Sequence, residues 1–126
     1  MRLIQIVGFL NTVFPDISFY PLQFPYNTTG GDEAIVDVVN GGMLEKAKTK
    51  DALTEINIQI MTRSEHPSDG EELANTMIET LHHMTGQNYE DEHILLIQAQ
   101  SPNPYYNGQD EDNFFIYTTD FRLLIS

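Results

Sequence analysis

Four histidines, nineteen carboxylates and a triplet of lysines carry most of the reactive chemistry in this chain. A zinc site wants histidines one helical turn apart, or a tight carboxylate–histidine cluster. His66 and His93 stand apart, and the adjacent His82 and His83 are expected to point to different faces of a helix. The run Glu90-Asp91-Glu92-His93 reads as a solvated link, so no metal is expected. Asp110, Glu111, Asp112 and Asn113 look at first like a calcium loop. The EF-hand order needs a glycine at its sixth position and a glutamate at its twelfth, and neither is in place. That segment reads instead as a turn bearing solvated acids. There is no Gly-x-Ser-x-Gly elbow and no Gly-rich loop ahead of a lysine. The absence of cysteine removes thiol catalysis, disulfides and thiolate metal ligands together. The expectation is a protein that is not an enzyme and takes no cofactor.

Two groups fit contacts better than catalysis. Tyr105 and Tyr106, beside Pro102 and Pro104, make a stiff amphipathic knob of the kind that anchors interfaces. The other reading folds both tyrosines back on the edge of the core. Lys46, Lys48 and Lys50 gather three of the six cations of a chain whose formal charge is −13. One basic loop on so acidic a molecule offers head-to-tail complementarity between copies, and Asp110, Glu111 and Asp112 are further candidate contact residues. A plain solvated loop is the competing reading.

The net charge also excludes partners. Duplex DNA and anionic membranes bind through neutralisation by Lys and Arg, and would repel this chain at long range. The same charge would let DNA slide past without sticking, or would imitate DNA for a basic partner. With 126 residues, 40% of them hydrophobic, the chain is expected to form a single domain, residues 1–126, with one core. The N-terminal apolar run is interrupted by Gln5 and Asn11 and reads as part of the fold rather than a signal peptide.

The elements that must position these groups follow from periodicity. Leu3, Ile6, Val7, Leu10, Val13 and Phe14 recur at helical spacing until Pro15. Residues 17–24 suit an edge or irregular strand, because Pro21 lies inside them. Residues 34–39 form a strand, and residues 54–63 alternate with Ile56, Ile58 and Ile60 facing inward. Ser68-Asp69-Gly70-Glu71 reads as a capping box ahead of a helix whose buried stripe is Leu73, Met77, Ile78, Leu81 and Met84, stopped by Gly86. Residues 94–99 are apolar on both faces, which suits a central strand. Residues 101–110 hold two prolines and are expected to stay out of any ladder and cross between strands. A last strand presents Phe115, Tyr117, Thr119, Phe121, Leu123 and Ile125 on its apolar face. The order α-β-β-β-α-β-β predicts an α+β fold: a mainly antiparallel sheet of about five strands with two helices packed on one face.

One block is more specific. Gln98-Ala99-Gln100-Ser101-Pro102-Asn103-Pro104-Tyr105-Tyr106-Asn107-Gly108-Gln109-Asp110, running into Phe115-Ile116-Tyr117, resembles the end of the tailed-phage minor capsid proteins. These act as tail terminators, or tail-to-head joining proteins, in long-tailed phages of Gram-positive bacteria. Phe24-Pro25, Gly41-Gly42, the polar strand from Ile56 to Arg63 and a helix ending in Leu81-His82 follow in the similar order. The resemblance implies a structural virion protein, made in the host cytoplasm and placed at the neck, on top of the tail. Its implied partners are further copies of itself in a hexameric ring, the major tail protein and the head-completion (stopper) protein. DNA would pass through the ring without specific binding, and no membrane is involved. The alternative from a different class is an acidic DNA mimic or inhibitor of a basic partner. That reading predicts acids in a continuous helical stripe, whereas here they are spread through loops and caps.

Overall fold

A computed structural model describes residues 1–25, 32–40 and 54–126. Leu3–Val13 forms the first helix (α1), which buries Ile6, Val7, Phe9 and Leu10. Its first turn is closed by Gln5, whose Oε1 accepts the Arg2 N–H at 2.7 Å. The chain leaves through Phe14, whose N–H still reaches the Leu10 carbonyl at 2.9 Å, and Pro15 forbids a further turn. Asn11 then accepts the Phe19 N–H at 3.0 Å, which ties the helix to the strand that follows it.

That strand, Ile17–Pro21 (β1), pairs in parallel with Asp32–Asn40 (β2). Next come Thr54–Ser64 (β3), the helix Pro67–Leu81 (α2), and Thr85–Tyr89 (β4). Glu92–Ala99 (β5), Tyr105–Gln109 (β6) and Phe115–Ile125 (β7) complete the chain. The sheet runs β1-β2-β3-β7-β5-β4, with β6 also on β7. The centre is the antiparallel pair of β3 and β7, in register from Thr54↔Ile125 to Ser64↔Phe115.

One face of this sheet is dry. Ala34 and Val36, Ile56, Ile58 and Ile60, Ile94 and Ile97, and Phe121, Leu123 and Ile125 join one cluster with the buried stripes of α1 and α2. Both helices therefore pack on the same face, as expected. A β-bulge at Leu95 explains why Ile94, Ile97 and Ala99 all point inward despite their uneven spacing. Each large side chain wholly buried there contributes roughly 1.5–3 kcal/mol.

Several expectations are corrected. The sheet has seven strands among the described residues rather than about five, and its pairing is mixed, since β1 and β2 are parallel. β4 occupies what read as helix end and acidic link: Gln87 pairs with Ile94 and Tyr89 with Glu92. Its side chains are polar and lie at an edge, so no apolar alternation marks it. Gly86, at φ 63, sits inside β4 and does not stop the helix. α2 ends instead at His82, with His83 at φ 68 just after it. The helix also starts earlier than the capping box suggested: His66 is the N-cap and Pro67 the first helical residue, where a missing N–H costs nothing.

The largest correction concerns residues 101–110. β5 and β6 both run antiparallel to β7 on the same side of it, Ala99 opposite Phe121 and Tyr105 opposite Thr118. The chain does not cross between strands. It leaves the ladder over residues 101–104 and returns to the same edge. Pro102 and Pro104 stay out of the hydrogen-bonded row, but they interrupt one long strand rather than redirect it.

Candidate functional site

The sheet's second face, away from the helices, is polar. Asp37, Gln59 and Asp120 lie opposite one another across β2, β3 and β7, and Asn57, Arg122 and Gln98 form the next row. Amides stitch these rows together: Gln59 Nε2 donates to Asp120 Oδ1 at 3.4 Å, and Gln100 Nε2 donates to Asn57 Oδ1 at 3.1 Å. Arg122 approaches Glu55 at 3.7 Å, with both side chains well exposed, so that pair adds little stability. Primary amides and a few acids, held in register on a rigid scaffold with Arg122 as a cation already facing Glu55, make a surface that hydrates well and offers little cationic grip to phosphate.

At the end of this face the polarity is sealed in. Arg63 meets the Glu33 carboxylate at 2.8 Å through Nη2 and 2.9 Å through Nε, and both residues are buried. The guanidinium lies over the Phe24 ring at 4.4 Å and near the Phe114 ring at 5.0 Å. A desolvated cation so flanked gains from the ring quadrupoles as well as from its carboxylate. The cluster pins the segment after β1 and the β6–β7 turn to the sheet. Only the strand register could reveal this pair, since Glu33 and Arg63 are thirty residues apart.

The expected contact residues fall in three places. Tyr105 and Tyr106 lie on β6, each 54% exposed. Tyr106 leans on Tyr117 at 5.3 Å and Phe115 at 6.3 Å between ring centroids. Tyr106 thus rests on the edge of the core with much of its ring open to solvent, and Tyr105 is equally exposed beside it. Beneath them burial raises the Tyr117 hydroxyl above its ordinary pKa, and Glu71 and Tyr106 push the same way.

Asp110 turns inward on its own hairpin, its Oδ1 accepting the N–H groups of Asp112 and Phe114 at 2.9 Å each. Asn113, at φ 66, completes that turn, and Glu111 and Asp112 are exposed. Lys46, Lys48 and Lys50 lie outside the described residues. Their segment joins Asn40 to Thr54, and the register sets those two residues beside Arg122 and Ile125. The 110–114 turn is at the other end of β7, roughly 20–30 Å away along the strands. The structure does not bring the lysine segment's ends and Asp110–Asp112 together. At the end of the sheet that holds Asn40 and Thr54 lies a different acidic group, Glu90, Asp91 and Glu92, at the β4–β5 turn. Glu92 holds the N-terminal amine at 3.2 Å and Glu90 accepts from Gln5 Nε2 at 3.2 Å, which leaves Asp91 outermost.

A cleft of about 490 Å³ opens between the end of α2 and residues 99–102, lined by Ile78, Glu79, His82, Ala99 and Pro102 among others. His82 Nδ1 accepts the Ala99 N–H at 3.0 Å, a bond that stitches the helix end to β5. Contrary to expectation, His82 and His83 do not diverge: their rings stack at 3.8 Å. Among the described residues no cluster of three or more His, Cys, Asp or Glu side chains has metal-binding geometry.

Compared with known protein families, residues 26–126 match the family described as bacteriophage tail terminator protein. No curated protein matches the chain.

Proposed function

The chain belongs to the bacteriophage tail terminator family, a structural component of the virion, and from that premise we propose how it works. Copies close into a sixfold ring on the head-proximal end of the tail tube. The ring stops tube growth against the major tail protein and presents its other side to the head-completion (stopper) protein, at the neck. The observation that carries this reading is the family match over residues 26–126.

The polar sheet face supports it. A rigid wall of Asn57, Gln59, Gln98 and Asp120 suits the lumen, because hydrated amides and acids, with Arg122 offset by Glu55, give passing DNA little cationic charge to bind. A ring also needs a heterologous contact, one patch meeting a different patch on the next copy. Lys46, Lys48 and Lys50 of one subunit would meet acids of the next, and the residues that flank their segment, Asn40 and Thr54, share an end of the sheet with Glu90, Asp91 and Glu92. Glu111 and Asp112, at the far end, are then left for a different protein of the neck. Tyr105 and Tyr106 stand on the free side of β6, where a neighbour would cover them.

Deleting the gene from its phage tests the role. The expected result is full heads separate from tubes of uncontrolled length. Normal virions would end the proposal.

A further inference from the structure

We infer that copies of this chain meet edge to edge, with Leu22 of one subunit seated in the cleft beside Pro102 of the next. This rests on the ring reading above and assigns the surfaces that make it.

Leu22 is the most exposed large hydrophobic among the described residues, 60% open to solvent. It is also strained. At φ 70 it caps a tight turn in which the Gln23 N–H reaches back to the Pro21 carbonyl at 2.8 Å. A γ-turn with positive φ is rare, and a branched leucine is a poor residue for it. Strain of this kind persists where the surrounding structure imposes it, and it clusters at sites of contact. Here it drives an apolar side chain outward from the free edge of β1.

The cleft is on the opposite edge. It offers Ile78, Ala99 and Pro102 as apolar walls, enough room for a leucine side chain, and one acid, Glu79, at its rim. Register places knob and cleft at one height. The Leu22 N–H bonds the Val36 carbonyl at 3.0 Å, Val36 stands opposite Ile60, and Ile60 opposite Thr119. One residue further along β7, the Asp120 carbonyl accepts the Gln100 N–H at 2.8 Å. Leu22 and Gln100 thus end nearly the same row across the sheet. A head-to-tail contact made at equal height closes a ring, whereas a contact with a large offset along the strands climbs into a helix.

Charge selects a second copy as the occupant. At −13, two copies repel wherever acids face each other. No charged residue occurs between Asp16 and Asp32, and none between His93 and Asp110. The described part of the first stretch forms the free edge at β1, and the second holds the cleft residues 99–102 and β6, whose outer side is free, while β5 itself is covered by β4. Neutral margins on opposite sides of so acidic a molecule permit close approach where the remaining surface opposes it.

The chain has no cysteine, so cross-linking has no background. Phage lacking the gene are complemented with the Leu22→Cys, Ser101→Cys double variant, and virions are oxidised and run without reductant. The expected result is a ladder of linked copies rising to a closed ring, with neither single variant giving more than a dimer. Particles that hold a ring by electron microscopy yet give no ladder would overturn this contact and leave the ring standing. Cross-linking of the Ser101→Cys single variant to a protein of different mass would assign the cleft to another partner. Absence of a ring would overturn both. Leu22→Gly adds a second readout. Relief of strain should leave the thermal midpoint of the free protein equal or higher, while incorporation into virions falls about tenfold or more, as loss of one buried leucine per contact predicts. Unchanged incorporation would contradict the inference.

Discussion

The two faces of the β3–β7 pair are made from the same two strands, yet they do opposite work. One face carries Ile56, Ile58, Ile60, Phe121, Leu123 and Ile125 against both helices, all of them buried. The other carries Glu55, Asn57, Gln59, Asp120 and Arg122, none fully buried and most tied by amide bonds or a loose ion pair. Alternation along a strand lets one face set stability while the other stays free to vary with function. Arg63 and Glu33, with Ile116 and Thr118 beside them on β7, break the rule, since they lie on the polar face and are nevertheless buried. That exception shows where the polar face stops being a surface and becomes a joint for the loops above it.

Substitutions test the division, from the core outward. Phe121→Ala on the dry face, at 0% exposure, should cost about 3–5 kcal/mol by chemical denaturation. Glu33→Ala should cost nearly as much, roughly 3–5 kcal/mol, because it strips a buried guanidinium of its carboxylate. If the joint is merely structural, Glu33→Leu with Arg63→Met recovers most of that loss. Gly70→Ala is next: a Cβ there would sit 2.5 Å from Ser64 Oγ and 3.0 Å from the Tyr117 ring, so α2 must shift, at about 1–3 kcal/mol. Combination with Ser64→Ala should recover part of it in the same denaturation assay. Asp120→Asn on the polar face should change stability by under about 0.5 kcal/mol. A large loss of stability there would erase the distinction between the faces.

Legibility in the sequence followed the same division. The helix α1 and the strands β2, β3, β5 and β7 were readable because burial on one side stamps a period of 3.6 or 2 on apolar residues. β4 and β6 were not, since Thr85-Gly86-Gln87-Asn88-Tyr89 and Tyr105-Tyr106-Asn107-Gly108-Gln109 sit at edges with a single partner strand and bury little. Pro102 and Pro104 misled for a physical reason: a proline removes a donor locally but does not decide where the chain goes next. The tyrosines and the acids of 110–112 could be named from sequence, although only the fold shows Asp110 spent on its own turn. Nothing in the sequence marks Leu22, whose interest lies in a backbone angle, or pairs Glu33 with Arg63, which depends on strand register.

A cryo-EM reconstruction of the virion neck tests the central claim most directly. It should show this chain as one closed ring on the head-proximal end of the tube, with Asn57, Gln59 and Asp120 facing the channel. A neck that lacks the chain, or a ring whose helices rather than its polar sheet line the channel, would contradict it.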